Sequence, residues 1–225
     1  MARHLVKVVS HRYQYCMIDP VGTPDRIAEL LVHVGRAAQC EDGRSELTAA
    51  QWTCLRFFSR ANGSTRTPSG FASFQATTRG TASQIIKTLE GRGLIRRHRS
   101  DRDRRSVRFD LTDDGLAMLS RDPMADLIGV IGHLGASNRA RFLDTLSHVA
   151  SAIAALREVP AFGSCRDCCH FTASGGSGHC ACMAAELAAG EIDKLCASYR
   201  GPAGAPAGPA ADPAPASLGE HDGTD

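Results

Sequence analysis

The segment from Arg92 to Arg108 constrains the fold of this 225-residue chain most strongly, because it contains eight arginines. Its last part, Val107-Arg-Phe-Asp-Leu111, alternates apolar and polar residues, which is the period of a strand with one buried face. Pairing with the residues after Leu94-Ile95 would place the arginines at the tip of a two-stranded hairpin. Residues 79–108 hold ten Lys or Arg against three acids, whereas the whole chain has a formal net charge of only +2. Such a local concentration indicates a polyanionic partner, with a solvated surface run as the alternative.

Helix-start signals recur on both sides of this hairpin. They combine Thr at the cap position with Pro, with acids, or with Gln three residues later. They lie at Thr23-Pro24-Asp25, Thr48-Ala-Ala-Gln51, Thr67-Pro68, Thr81-Ala-Ser-Gln84 and Thr112-Asp-Asp-Gly115. Gly91 and Gly93 are predicted to stop the fourth helix, and Pro123 to interrupt the fifth. The sequence therefore predicts several short helices around one hairpin, which is a mainly α fold.

Apolar residues at helical spacing mark the faces that these helices bury. The predicted faces are Ile27, Leu30, Leu31, Val34 and Ala38, then Trp52, Leu55 and Phe58, then Phe71 and Phe74, then Ile85, Ile86 and Leu89. A later series repeats at intervals of four and three residues, the spacing of a helix-packing seam. It consists of Phe142, Leu146, Val149, Ile153 and Leu156.

Three short helices followed by a hairpin and flanked by longer helices form a winged helix-turn-helix. Burying Ile85, Ile86 and Leu89 leaves a polar face on the helix that starts at Thr81, with Ser83, Gln84, Lys87 and Thr88. A helix fits the major groove of DNA, where Ser and Gln can bond base edges and Lys can contact phosphate. The helix N-terminus at Thr81 can also donate backbone N–H groups to phosphate. Capping and a solvated surface are the alternative explanation of this face.

Three blocks of sequence resemble the MarR-type transcriptional regulators, over about residues 24–158. The blocks are Leu47-Thr-Ala-Ala-Gln-Trp-Thr-Cys-Leu55, Thr78-Arg-Gly-Thr-Ala-Ser-Gln-Ile-Ile-Lys-Thr-Leu89 with Gly93-Leu-Ile95, and Ser100 to Gly115. In the last block an acid-Arg-Arg group in the wing precedes Leu-Thr-x-x-Gly, which is the most specific part. The resemblance implies that Asp103 and Arg104 or Arg105 lie in the wing, where one arginine enters the minor groove. It also implies a homodimer built from the first and last helices, bound to a pseudo-palindromic operator.

The predicted DNA-binding residues combine this helix face with the wing. They are Arg79, Thr81, Ser83, Gln84, Lys87, Thr88, Arg102, Arg104 and Arg105.

Nine cysteines are distributed unevenly, with six between Cys165 and Cys196. The N-terminus lacks a long apolar run, and no stretch approaches the length that spans a bilayer, so we expect a cytoplasmic protein without membrane segments. Cysteines in a reducing compartment more often bind metal than form disulfides. The spacing Cys165-x2-Cys168, x11-Cys180 and x15-Cys196 suits four thiolate ligands, either of tetrahedral zinc or of a four-iron cluster.

The order of these cysteines resembles the cluster-binding segment of high-potential iron–sulfur proteins. A Cys-x2-Cys pair near an aromatic residue is followed by a lone Cys and by Cys196-Ala-Ser-Tyr199. Phe171 lies one position later than in that pattern, and Cys169 and Cys182 are additional. The resemblance implies a [4Fe–4S] cluster on Cys165, Cys168, Cys180 and Cys196, with zinc as the alternative. Cys169, Cys182, His170 and His179 are the substitute ligands, and Phe171, Met183, Leu187, Leu195 and Tyr199 are the expected apolar cover.

The sequence thus predicts four regions. These are an N-terminal arm at 1–22, a MarR-like winged helix with dimerisation helices at 23–158, a cysteine module at 163–200, and a disordered Ala/Gly/Pro-rich tail at 201–225. The function expected is a DNA-binding regulator that responds to redox state or to an iron–sulfur cluster. The alternative is a repressor that responds to a small-molecule effector and carries a structural zinc tail. A thiol or electron-transfer enzyme is a remote third hypothesis, because no thioredoxin-like βαβ pattern surrounds the Cys-x2-Cys pair. We expect no enzymatic activity.

Overall fold

A computed structural model describes residues 23–39, 45–99 and 107–201. The predicted arm, nearly all of the predicted tail and the wing tip with Arg102, Arg104 and Arg105 lie outside these residues. The chain divides into two compact units, residues 1–40 and residues 41–225. The described part is mainly helical with small antiparallel sheets, which confirms the predicted class. No helix in the described ranges has the length and apolarity that crossing a bilayer requires.

The first unit contains helix α1, Pro24–Ala37. Its start follows the predicted signal, because the Thr23 side chain accepts a hydrogen bond from the Arg26 N–H and Pro24 needs no partner for its nitrogen. No residue of α1 is buried. Ile27 and Leu30 in its apolar stripe are 54% and 51% exposed. The stripe therefore remains largely open to solvent in the isolated chain.

The second unit begins with helix α2, Ala49–Arg60, and its core surrounds this helix. The predicted capping box is confirmed, since Thr48 Oγ1 accepts from Gln51 N while Gln51 Oε1 accepts from Thr48 N. Trp52, Leu55 and Phe58 are buried as predicted. The core adds residues from α3, α4 and the hairpin, namely Phe71, Ala72, Ala82, Ile86, Leu89, Leu94, Ile95 and Phe109.

Helices α3, Pro68–Phe74, and α4, Arg79–Gly91, form the helix-turn-helix. The predicted start of α4 at Thr81 is wrong. Thr78 is the N-cap, and its Oγ1 accepts from the Thr81 N–H at 3.1 Å, so Thr81 already lies within the first turn. Both threonines precede residues with a helical pattern. Thr78 is the cap because the two residues that follow it, Arg79 and Gly80, already have helical backbone. The predicted stop is confirmed, since α4 ends at Gly91 and Gly93 has a φ of +72°.

The predicted hairpin is present, with strands β1, Ile95–Arg99, and β2, Val107–Leu111, pairing in antiparallel register. Phe109 is buried, and Val107 and Leu111 pack against the core beside it. Thr112 then caps α5, Asp113–Leu119, as predicted. Helices α6, Met124–Gly132, and α7, Ala136–Leu156, follow the interruption at Pro123.

The cysteine-rich segment folds into short elements without a long helix. A 3-10 turn, Cys165–Asp167, leads to a three-stranded sheet of β4, Phe171–Ser174, β5, Ser177–Cys180, and β6, Ala185–Leu187. A second small sheet pairs β3, Gly163–Ser164, with β7, Leu195–Cys196, and the short helix α8, Ala189–Ile192, lies between β6 and β7 in the sequence. The two sheets bring cysteines from both ends of the segment into one region.

Candidate functional site

Helix α4 presents a polar face opposite its buried one. Ala82, Ile86 and Leu89 are buried at helical spacing, and this places the predicted contact residues on the exposed side. These exposed residues are Arg79, Thr81, Ser83, Gln84, Lys87 and Thr88. All the predicted residues of the helix thus share one accessible surface, and their role in DNA binding stays a prediction.

The threonine hydroxyls on this face already form hydrogen bonds within α4 or with its cap. Thr88 Oγ1 donates to Gln84 O at 2.9 Å, and Thr81 Oγ1 lies 2.9 Å from Thr78 Oγ1. The side chains of Arg79, Ser83, Gln84 and Lys87 form no hydrogen bond or ion pair with any other described residue. A ligand on this face therefore meets unused polar groups at these four positions.

The N-terminus of α4 is the second feature of this surface. Because Thr78 accepts the Thr81 N–H, the backbone N–H groups ahead of it belong to Arg79 and Gly80. The backbone donors predicted at Thr81 thus lie one to two residues nearer the start of the helix, at Gly80 and Arg79.

The wing carries exposed charged side chains along β1. Arg96, Arg97 and His98 are exposed on β1. Asp110 on β2 binds the Arg66 guanidinium, and its other carboxylate oxygen lies 3.2 Å from His98 Nδ1. The sequence by itself assigns no role to Arg66 or Asp110. The spacing of 44 residues between Arg66 and Asp110 gives no local signal for their pairing.

The four predicted thiol ligands approach one another in the cysteine module. Cys165, Cys180 and Cys196 are buried and Cys168 is half-buried, whereas the substitutes Cys169 and Cys182 are exposed. Burial, and then the neighbouring Cys196, Cys180 and Cys168, raise the pKa of Cys165 to about 12. Each of the other three thus lies near enough to Cys165 to oppose its ionisation. The Cys165 thiol is therefore protonated at neutral pH without a metal, so metal binding to it releases a proton.

The pKa of Cys196 is governed by two opposing causes. Burial raises it, while hydrogen bonds from the Ser198 backbone and from the Asn62 side chain lower it. Cys182 also lies near the group, because loss of hydration and then Cys180 and Cys168 raise its pKa. Among the described residues, however, no three Cys, His, Asp or Glu side chains form a group that could hold a metal ion.

Aromatic rings cover the small sheets around these thiols. A Cβ on Gly163 would lie 2.7 Å from the Tyr199 ring, and one on Gly178 would lie 2.3 Å from the Phe171 ring. The two glycines therefore allow the rings to lie flat on the backbone. Two of the predicted covering residues thus pack over the module, whereas Met183 is 40% exposed.

The cysteine module also packs on the winged helix, which the sequence did not predict. Asn62 N donates to Leu195 O at 2.8 Å, Gly63 N to Glu191 Oε2 at 2.7 Å, and Ala197 N to Thr65 Oγ1 at 2.9 Å. The Phe162 ring contacts the Phe74 ring edge-on, with centroids 5.2 Å apart. The contacts join residues more than eighty positions apart in the chain, where no spacing rule applies.

The comparisons agree with this architecture. Residues 45–106, from before α2 to the wing tip, match the sequence model of the MarR family. This segment is a MarR-type winged helix. No curated protein sequence matches the chain.

Solved structures similar to the chain include transcriptional regulators. The transcriptional repressor CouR bound to a 23-mer DNA duplex is 30% identical, over 55% of this chain and 89% of that one, with a TM-score of 0.44. PcaV from Streptomyces coelicolor with its natural ligand is 22% identical, over 61% and 99% of the two chains, with a TM-score of 0.44. The MepR–DNA complex from S. aureus is 18% identical, over 57% and 97%, also at 0.44. Residues 45–106 are assigned to the MarR family by the match to the family model and by the helices and strands described above.

Proposed function

We propose that this protein is a DNA-binding transcriptional regulator that uses α4 in the major groove and the wing in the adjacent minor groove. The observation that carries the proposal is the unpaired polar face of Arg79, Ser83, Gln84 and Lys87 beside an arginine-lined hairpin. Lysine and arginine there supply phosphate contacts, while Gln84 and Ser83 have the donors and acceptors that read base edges. The family match supports a regulator rather than an enzyme.

The experiment uses a duplex that the full-length protein selects from a random DNA pool, with affinity measured by fluorescence anisotropy at several salt concentrations. Replacing Lys87→Gln removes one phosphate contact and lowers the slope of log K against log salt by about 0.9. Gln84→Ala weakens binding to the selected duplex by about 1–3 kcal/mol while leaving non-specific binding unchanged. Arg157→Gln, the same loss of charge beyond the end of α7, is the control. Equal slopes for the wild type, Lys87→Gln and Arg157→Gln would contradict the assignment of α4 to the DNA contact.

We propose further that the protein is a homodimer built from α1 and α7 on a pseudo-palindromic operator. The open stripe on α1 supports this, as does the seam on α7, where Val149 and Ile153 are 39% and 44% exposed. Unpaired apolar stripes of this length are costly to leave in water.

We also propose that the cysteine module binds a [4Fe–4S] cluster through Cys165, Cys168, Cys180 and Cys196. The support is that Cys168, Cys180 and Cys196 all act on the ionisation of Cys165, and that the Tyr199 and Phe171 rings pack over the two small sheets. Four sulfur ligands of one zinc ion, each about 2.3 Å from the metal, would lie about 3.8 Å apart. A cluster holds its ligands at its corners and therefore farther apart, so the separation of the four sulfur atoms distinguishes the two groups.

When bound, such a cluster supplies a redox centre, and its loss removes folding energy from the module. We propose that the affinity of the protein for DNA depends on whether this cluster is present and on its oxidation state. The residues of the chain hold the sulfur atoms, exclude water through Phe171 and Tyr199, and join the module to the winged helix.

Anaerobic purification with metal analysis and a visible absorption spectrum tests the cofactor. We expect about four iron and four sulfide per chain, and Cys196→Ser is expected to lose them while Cys169→Ser, an exposed thiol in the same module, retains them. Colourless protein with stoichiometric zinc would contradict the cluster and favour a structural zinc tail, in which case a small-molecule effector becomes the signal to search for.

A further inference from the structure

The turn between α2 and α3, residues 61–66, contacts both the wing and the cysteine module. We infer that the Gly63 N–H, Arg66 and Arg108 form a binding site for a DNA phosphate. Glu191 of the module occupies this site from within the chain. The inference rests on the proposed DNA-binding function and deepens it, because it adds a phosphate contact that the chain itself blocks.

Two arginine side chains converge on the backbone of this turn. A Cβ on Gly63 would lie 3.7 Å from Arg66 Nη2 and 3.8 Å from Arg108 Nη1. Arg66 binds Asp110 through Nη1, which leaves Nη2 for another acceptor. Arg108 forms no ion pair with any described residue, and the Nε atoms of both arginines have no hydrogen-bond partner in the described part of the chain. Two guanidinium groups with unused donors therefore meet at one glycine, and such groups match the geometry of phosphate.

Glu191 on α8 places a carboxylate at the same point. Its Oε2 accepts the Gly63 N–H at 2.7 Å, and its Oε1 accepts from Lys194 Nζ at 2.6 Å. Burial raises the pKa of Glu191, but hydrogen bonds from Lys194 and Gly63 and the charges of Lys194 and Arg66 lower it overall, so the group is ionised at neutral pH. Backbone N–H groups, arginine and lysine are also the donors that bind phosphate oxygens in protein–DNA complexes. The carboxylate of Glu191 thus takes the position of a phosphate.

The site lies beside the elements that we assign to DNA. Arg108 pairs with His98 in the hairpin, next to the pair of Arg99 with Val107 that ends the described strands toward the wing tip. Arg66 lies just before α3 of the helix-turn-helix, and its carbonyl accepts from Phe109 N of β2 at 3.1 Å. A duplex that reaches both α4 and the wing tip brings its backbone to this junction. DNA is therefore the source of the phosphate that we assign to the site.

Glu191 and a DNA phosphate exclude one another at this position. The carboxylate uses the Gly63 N–H, and its negative charge opposes the approach of a second anion. Backbone bonds of the turn to Leu195 O and from Ala197 N hold the module, and with it Glu191, beside the turn. The wild type therefore binds DNA with one phosphate contact fewer than the same chain without the Glu191 carboxylate.

The salt dependence of DNA binding by the full-length protein tests the site. Affinity is measured by fluorescence anisotropy for the selected duplex and for an unrelated duplex of the same length. Glu191→Ala vacates the position, and we expect the slope of log K against log salt to steepen by about 0.9, with roughly five- to tenfold tighter binding at about 0.1 M salt. The gain is expected to be the same for both duplexes, because phosphate contacts carry no sequence information. In the double variant Glu191→Ala/Arg108→Gln the added contact is lost, and the slope returns to that of the wild type.

Two further variants keep the outcome decisive. Glu186→Ala removes an exposed carboxylate from β6 of the same module, and we expect it to leave the slope unchanged. Glu191→Gln keeps an acceptor for the Gly63 N–H and removes only the charge. If Glu191→Ala does not fold, Glu191→Gln is expected to tighten DNA binding in the same direction, and Arg108→Gln is expected to cancel that gain as well.

The outcomes separate this site from DNA binding as such. A slope equal to that of the wild type in both Glu191 variants, or a gain that Arg108→Gln does not remove, overturns the site and leaves DNA binding through α4 intact. The same gain in Glu186→Ala assigns the effect to the overall charge of the module and also overturns the site. A gain that inorganic phosphate abolishes at equal ionic strength assigns the site to free phosphate and overturns the contact to DNA. A wild type that binds no duplex overturns the proposed function, and the inference with it.

Discussion

Gly115 explains at the scale of one residue why the Leu-Thr-x-x-Gly pattern follows the wing. A Cβ at this position would lie 2.0 Å from the backbone oxygen of Leu94, so the first turn of α5 packs directly on the chain entering β1. Thr112 serves the same junction twice, since its Oγ1 donates to Gly93 O and accepts from Gly115 N. The motif therefore fixes the base of the hairpin.

We predict that Gly115→Ala destabilises the protein by about 1–3 kcal/mol, because the added methyl forces backbone apart. Urea unfolding followed by the fluorescence of Trp52, the single and buried tryptophan, measures the loss. Gly91→Ala is the matched control, since a Cβ there meets nothing within 4 Å and removes a helix-disfavouring glycine. It is expected to stabilise the protein by about 0.5–1 kcal/mol. A neutral Gly115→Ala would show that α5 does not approach Leu94 so closely.

At the scale of elements, periodicity and capping predicted most helices and the hairpin correctly. The one boundary that failed was the start of α4, where two threonines three residues apart, Thr78 and Thr81, both fit a cap. Gln84 lies three residues after Thr81, so the local sequence predicts a capping box there. Thr78, however, is followed directly by residues of the helix. Spacing rules cannot decide which of the two threonines is the cap. The burial of Ala82 and Ile86 in the core fixes the position of the helix that follows Thr78 and contains Thr81.

Replacing Thr78→Ala tests this boundary. It removes the N-cap of α4, and we expect a loss of about 1 kcal/mol in the free energy of unfolding. Thr81→Ala, three residues later, removes only a contact between two hydroxyls and is expected to cost about half as much or less. The reverse order in urea unfolding would restore Thr81 as the cap.

At the scale of the whole molecule, the contacts between module and winged helix include a charged one. Burial alone would raise the pKa of Glu191, but hydrogen bonds from Lys194 and from the Gly63 N–H, with the charges of Lys194 and Arg66, lower it overall. A carboxyl whose pKa is lowered on folding stabilises the native state above its unfolded pKa of about 4.3. That contribution disappears as the pH falls through the lowered native pKa.

We predict that Glu191→Gln costs about 1 kcal/mol at pH 7 and progressively less as the pH falls below about 4, where the native carboxyl also becomes protonated. Unfolding of both proteins by urea across this pH range gives the difference. Glu186→Gln, an exposed carboxylate on β6, serves as the control and is expected to change stability little at either pH. A deficit that is the same at pH 7 and pH 3 would mean that the charge of Glu191 does not hold the module.

Assembly is tested on the seam of α7. Ile153→Glu places a charge in the proposed dimer contact, and we expect it to convert a dimer into a monomer in sedimentation equilibrium and to weaken operator binding. Leu116→Glu changes an apolar residue of α5 that is 55% exposed, and it is expected to leave the dimer intact. A wild-type protein that sediments as a monomer would remove the dimer from the proposal.

The sequence alone determined the helices, the hairpin and the polar face of α4, because caps, turn residues and periodic burial act within a few neighbouring positions. It also nominated four cysteines as ligands from their order along the chain, and their ligand role stays a prediction. Only the tertiary structure placed Asn62, Thr65 and Gly63 against residues 191–197, and Arg66 against the wing. These bonds join segments that are distant in the chain. No spacing rule relates such positions, and only the packing of the whole second unit brings the partners together.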